Sequence, residues 1–156
     1  MIPDPDDGRS IVPVPEPVPV PEAREEQPEV AEFDHERLDV YRVAIDFVVR
    51  ADDVVEKLPR GRAYLADQLQ RAATSIALNI AEGAGEFSKK GKARFYRIAR
   101  RSATECAAIM DVCQRLRLVS QEQFGVGREH LLRVVAMLIR MARSVESGTG
   151  TGSGTE

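Results

Sequence analysis

Tryptophan is missing from this chain, cysteine and histidine occur twice each, and there are only three tyrosines and five phenylalanines. A core with so few aromatics has to be filled by aliphatic side chains and alanine. His35 and His130 have no other His, Cys or carboxylate at a spacing that forms a recognised metal site, and H-E-x-x-H is absent, so no metal and no cofactor is expected. Cys106 and Cys113 lie roughly 10 Å apart along a predicted helix, too far for a disulfide between them. They read as two buried thiols in a reducing cytoplasm. No apolar run reaches the ~18 residues of a membrane span. Asp4, Asp6 and Asp7 stand where a secretion signal would carry positive charge, so a cytoplasmic protein is expected.

Catalytic patterns are missing too. No Ser or Cys has a base suggested by its spacing. Gly85, Gly91 and Lys92 resemble a phosphate loop but fail it twice: the glycines are one residue too far apart, and Ala93 replaces the Ser or Thr that would hold Mg²⁺. The segment also follows a predicted helix instead of a strand. The sequence offers no catalytic set and no small-molecule substrate, and the chain is not expected to be an enzyme.

Proline is absent from most of the chain. Eight of the nine prolines lie before residue 30, and the ninth is Pro59. The middle is therefore free to be helical. Residues 1–33 read as a disordered tail, with IVPVPEPVPVP at 11–21 expected as polyproline II and an acidic stretch after it. The tail could also be a recognition segment for an aromatic groove, or an internal mimic of an anionic ligand. Residues 147–156 read as a flexible Gly/Ser/Thr tail.

Between the tails, residues 34–146 carry four helical patterns. The first is expected from about Asp34, as N-cap, to Lys57. It has two adjacent apolar rows: Leu38, Tyr41, Ile45, Val48 and Val55, interrupted by Asp52, and Val40, Ala44, Phe47, Ala51, Val54 and Leu58. Pro59 and Gly61 end it. The second, about Ala63 to Glu82, presents Leu65, Leu69, Ala72 and Ile76, broadened by small residues that allow close packing. Gly83-Ala84-Gly85 is expected to stop it, with one glycine as a left-handed C-cap. The third, about Lys89 to Leu116 with Ser88 as N-cap, again has a double apolar face. The fourth, about Gln121 to Val145, opens on the capping box Ser120/Gln123, with a weak point at Phe124–Gly127. Short corners between long helices predict an all-α, antiparallel up-down-up-down four-helix bundle. The double rows are wider than a monomer needs, so part of them is expected between subunits.

The net charge of −3 hides an asymmetry: residues 1–37 hold eleven acids and three bases, and residues 38–146 hold thirteen acids and nineteen bases. Within Phe87–Arg101 there are seven bases and no acid: Lys89, Lys90, Lys92, Arg94, Arg97, Arg100 and Arg101. A face that is merely soluble would carry Glu–Lys pairs. Unbalanced cations near a helix N-terminus suit the phosphates of RNA or DNA. No zinc finger or RNP motif accompanies them, so base reading is not indicated. Asn79, Ser102 and Glu105 interrupt apolar rows. They can form a polar network that fixes register, lie solvated at the edge of the face, or include a functional carboxylate.

The blocks QLQRAATSIALNIAEG, SKK and RFYRIARRSATE resemble the bacterial four helix bundle protein family, which includes proteins encoded in intervening sequences of large-subunit ribosomal RNA genes. They are also similar to the accessory variability protein of diversity-generating retroelements. The resemblance covers about Leu38 to Val145. It implies a bundle that commonly assembles as a homopentamer without established catalysis and, in the retroelement branch, binding of nucleic acid and a reverse transcriptase through a basic surface. The family block maps to Asn79, Ala81, Glu82, Gly83, Ser88, Phe95, Ile98, Ser102 and Glu105. Arg101 and Arg117 stand where the family often has Gly. The acidic tail is outside the pattern. Together these readings point to a non-enzymatic oligomer that binds nucleic acid, with a protein-interaction module as the alternative.

Overall fold

The computed structural model describes residues 31–148, together with Pro13 and Glu16. The chain divides after Val30, and the second unit holds the bundle. The rest of the expected polyproline II segment, the acidic stretch up to residue 30 and the tail beyond Gly148 lie outside the described residues.

A short 3-10 turn, Asp34–Arg37, precedes four helices: α1 Asp39–Lys57, α2 Ala63–Gly85, α3 Lys89–Arg115 and α4 Gln121–Ser147. A second 3-10 turn, Arg60–Arg62, joins α1 to α2. The helices α1 and α3 each pack on both α2 and α4, which makes an antiparallel bundle with α1 and α3 on one diagonal. No strand occurs among the described residues.

Asp34 does not cap the first helix. Leu38 is extended (φ −87°, ψ 123°) and separates the 3-10 turn from α1. The turn is held by Phe33 N–H donating to Glu36 Oε2 at 2.6 Å and by the His35 ring edge-on to Tyr41, with centroids 4.6 Å apart. At the other end, Leu58 is pushed to ψ 138° before Pro59, as the proline ring demands.

Of the two apolar rows on α1, one becomes core. Val40, Ala44, Phe47, Ala51 and Val54 are buried, joined by Val43. The other row is half-covered: Tyr41, Val48 and Val55 pack on the core edge, while Ile45 is exposed. Asp52 is exposed and interrupts nothing buried. On α3, Tyr96, Ala99, Ala103, Cys106, Met110 and Cys113 are buried, while Val112 and the C-cap residue Leu116 are exposed. Leu69, Ile76, Ile80 and Leu138 are the large aliphatic anchors, fully enclosed. Truncating one to alanine would cost about 2–5 kcal/mol, because so dense an interior only partly collapses into the hole.

Two glycine readings are corrected by the fold. The helix α2 runs through Gly83 and ends at Gly85, inside the expected stop, but no described glycine has positive φ, so none is a left-handed cap. Gly83 is buried where α2 meets α3: a Cβ there would lie 2.6 Å from Tyr96 Cε1. The α4 helix likewise continues through Phe124–Gly127, where Gly127 faces Met110 Cε and Phe47.

The left-handed residue of the bundle is Arg117 (φ 58°). Leu118 N–H donates to Cys113 O at 2.8 Å and Arg117 N–H to Gln114 O at 3.0 Å, which closes α3 in a Schellman motif with arginine in the position glycine favours. The expected caps at the other corners are present. Ser88 Oγ accepts from Gly91 N–H at 3.0 Å. Ser120 Oγ accepts from Gln123 N–H at 3.1 Å, and Gln123 Oε1 accepts from Ser120 N–H at 3.0 Å.

Candidate nucleic-acid interface

The first four turns of α3 carry the basic stretch. Ser88 fixes where the helix starts, and the buried row from Ala93 through Tyr96 and Ala99 fixes its rotation. Lys90, Arg94, Arg97 and Arg101 then follow at helical spacing on the outward side, all exposed. Lys90 and Arg101 are about 16 Å apart along the axis, the rise of about five base pairs of duplex.

The seven cations are not equivalent. Lys92 Nζ donates to Ala84 O at 3.0 Å, so its charge serves the C-terminal carbonyls of α2. Lys89 Nζ donates to Gly148 O at 2.6 Å, at the end of α4. Arg97 is ion-paired with Glu146 of α4. Lys90, Arg94, Arg100 and Arg101 are exposed and have no side-chain partner among the described residues. Arg100 lies on the α4 side, in a groove of about 200 Å³ between α3 and α4 that also carries Tyr96, Arg97, Arg143 and Glu146. Arg143 lies far from the basic stretch in the chain, and its periodicity on α4 marks it only as a solvent-facing residue.

Two of the three expected polar residues come together, through a third that the periodicity did not single out. Ser102 Oγ lies 2.9 Å from Ser75 Oγ, and Asn79 Nδ2 donates to Ser75 O at 2.8 Å and to Ser75 Oγ at 3.1 Å. This links α2 to α3 at the edge of the core. Ser75 stands one turn before Asn79, and that spacing was the available signal. Glu105 is exposed and lies outside the network.

The reactive side chains of the interior are quiet. Burial, helped by the neighbouring Glu105 charge, pushes the Cys106 thiol up to about 12. Burial also raises Cys113 and Tyr96 above their ordinary values. His130 Nδ1 lies 2.8 Å from Val126 O. Among the described residues no three His, Cys, Asp or Glu side chains are grouped to hold a metal. No described helix is long and apolar enough to cross a membrane.

A sequence profile of the 23S rRNA-intervening sequence protein family matches residues 36–140. A crystal structure of a protein of unknown function from the S23 ribosomal protein family of Bacteroides thetaiotaomicron VPI-5482 shares the fold. It aligns with a TM-score of 0.62 at 22% identity, over 67% of this chain and 95% of that one. Among curated proteins none matches.

Proposed function

The chain belongs to the 23S rRNA-intervening sequence protein family, and from that premise we propose that it is a non-enzymatic, oligomeric four-helix bundle that binds RNA or DNA backbone through the basic face of α3. One observation carries the reading: Lys90, Arg94, Arg100 and Arg101 stand exposed with no anionic partner among the described residues, on a stretch that contains no acid. Such cations release counterions when they meet phosphates, which favours binding without base readout. In this reading the protein acts in the cytoplasm as a scaffold for a ribonucleoprotein, with a reverse transcriptase among the partners it suits.

The proposed oligomer is a homopentamer. Its support is apolar surface left uncovered in the single chain: Ile45 and Val49 on α1, Val112 on α3 and Leu116 at the α3 C-cap are exposed. The same exposed residues favour a second reading, a protein-assembly module in which the basic face is incidental.

Light-scattering mass on the full chain, with absorbance at 260 and 280 nm across the same peak, separates these readings. The chain has no Trp and three Tyr, so slight nucleic-acid carry-over is visible. A five-subunit mass with a raised ratio that falls in high salt supports the proposal. A clean pentamer favours the assembly module, and a clean monomer removes the oligomer.

A further inference from the structure

A second gathering of cations is made by the fold and not by the local sequence. The groove between α3 and α4 brings Arg97 and Arg100 together with Arg143 and Glu146 across the two helices. Three arginine side chains line this one groove against a single carboxylate, so positive charge is in excess there. Their planar, multiply donating geometry matches the oxygens of a phosphate group. Glu146 takes Arg97, and both side chains of this pair are half-exposed, at 50% and 47%. One turn of helix thus does two things: Glu146 holds Arg97, and Gly148 O accepts from Lys89 Nζ at 2.6 Å. The end of α4 engages two of the seven cations of the basic stretch.

We propose that this groove is a phosphate-binding pocket for a single-stranded RNA backbone and that Glu146 is its built-in competitor, holding Arg97 in the free protein and releasing it to a backbone phosphate. The proposal rests on the nucleic-acid reading above. It adds to that reading the place of one phosphate, a contributing residue on α4 and a restraint on access. A half-exposed ion pair is worth little and is screened by salt. A polyanion that already engages Arg94 and Arg101 delivers a phosphate to the groove at high local concentration and displaces the carboxylate. Isolated anions have no such advantage, so the pair discriminates in favour of a polymer.

The test uses the full-length chain and fluorescence anisotropy of a short fluorescein-labelled oligoribonucleotide of mixed sequence, across a salt series. Glu146→Gln should tighten binding about two- to fivefold, the scale of an exposed ion pair. Arg143→Ala should weaken it and lower the slope of log K against log salt by about 0.7, one single-strand phosphate contact. Arg97→Ala should cost more in the Glu146→Gln background than alone, as coupled residues do. Thermal melts of each variant confirm that the exposed substitutions leave the bundle folded. Unchanged or weaker binding by Glu146→Gln, or an unchanged slope for Arg143→Ala, overturns the pocket. If Lys90, Arg94 and Arg101 changed together to Ala still lose affinity in that case, the basic face stands and only the groove falls. If the wild type fails to bind the oligonucleotide at low salt, the nucleic-acid reading falls and the groove falls with it.

Discussion

Replacing Gly83 by alanine places a methyl group 2.6 Å from Tyr96 Cε1, 2.9 Å from Tyr96 Cδ1 and 3.1 Å from Phe95 Cβ. Two effects oppose each other. Alanine is favoured over glycine inside a helix by about 0.5–1 kcal/mol. Overpacking a close contact costs about 1–3 kcal/mol. Tyr96 is only 4% exposed, so its ring cannot swing into solvent, and Phe95 Cβ is tied to the α3 backbone. Relief therefore requires α3 to move from α2, and the net result should be a loss of about 1–2 kcal/mol. Gly125 is the control. It lies inside α4 with nothing within 4 Å of a built Cβ, and its change to alanine should add about 0.5–1 kcal/mol. Urea unfolding followed by far-UV circular dichroism, at one protein concentration, measures both. A third variant isolates the ring: in a Tyr96→Ala background the cost of Gly83→Ala should shrink, leaving the 3.1 Å contact with Phe95 Cβ. If Gly83→Ala stabilises the protein as Gly125→Ala does, close approach of α2 and α3 does not explain this glycine, and a cost undiminished by removal of the Tyr96 ring contradicts the ring as its main cause.

Arg117 holds φ 58°, which glycine adopts without strain, so Arg117→Gly should stabilise the fold by about 1 kcal/mol in the same unfolding assay. Ser102→Ala removes the 2.9 Å bond to Ser75 and should cost about 1 kcal/mol, with the helix content unchanged. The Cys106 thiol moves from 9.0 to about 12 on folding because of burial and then the Glu105 charge. The folded state holds the proton more tightly, so this contribution to stability is complete below pH 9 and lost as pH rises towards about 12. Stability measured across that window should fall, less so in Cys106→Ala, and Ellman's reagent at pH 8 should label the native thiols far more slowly than the unfolded ones.

Much of the fold was legible because its signals are local. Ser88 and Ser120 stand one residue before helices whose first turns lack acceptors, and each caps as its position requires. The apolar rows of α1 and α3 recur at helical spacing, and the bundle follows from them. What was not legible depends on partners distant in sequence. Gly83 looks like a helix stop until Tyr96 is seen against it, because glycine serves both turns and close approaches. Leu38 breaks the first helix at a residue that carries no turn signal of its own. Arg117 takes a left-handed conformation that arginine does not advertise. The basic stretch reads as seven equal charges, yet Gly148, Ala84 and Glu146 engage Lys89, Lys92 and Arg97, and Arg143 joins the group across the groove. Periodicity also names two apolar rows on α1 and on α3 without saying which is core. The resulting bundle leaves Val112 on α3, Leu116 at its C-cap and Ile45 on α1 outside.

The salt dependence of RNA affinity, compared between the wild type and a variant with Lys90, Arg94 and Arg101 all changed to Ala, bears most directly on the basic face. Each side chain removed should take about 0.7 from the slope of log K against log salt for a single strand, so the triple variant should lose about 2 while its thermal melt stays the same. An affinity and slope equal to the wild type's would contradict the assignment and leave the charge of α3 as a solvated helix face.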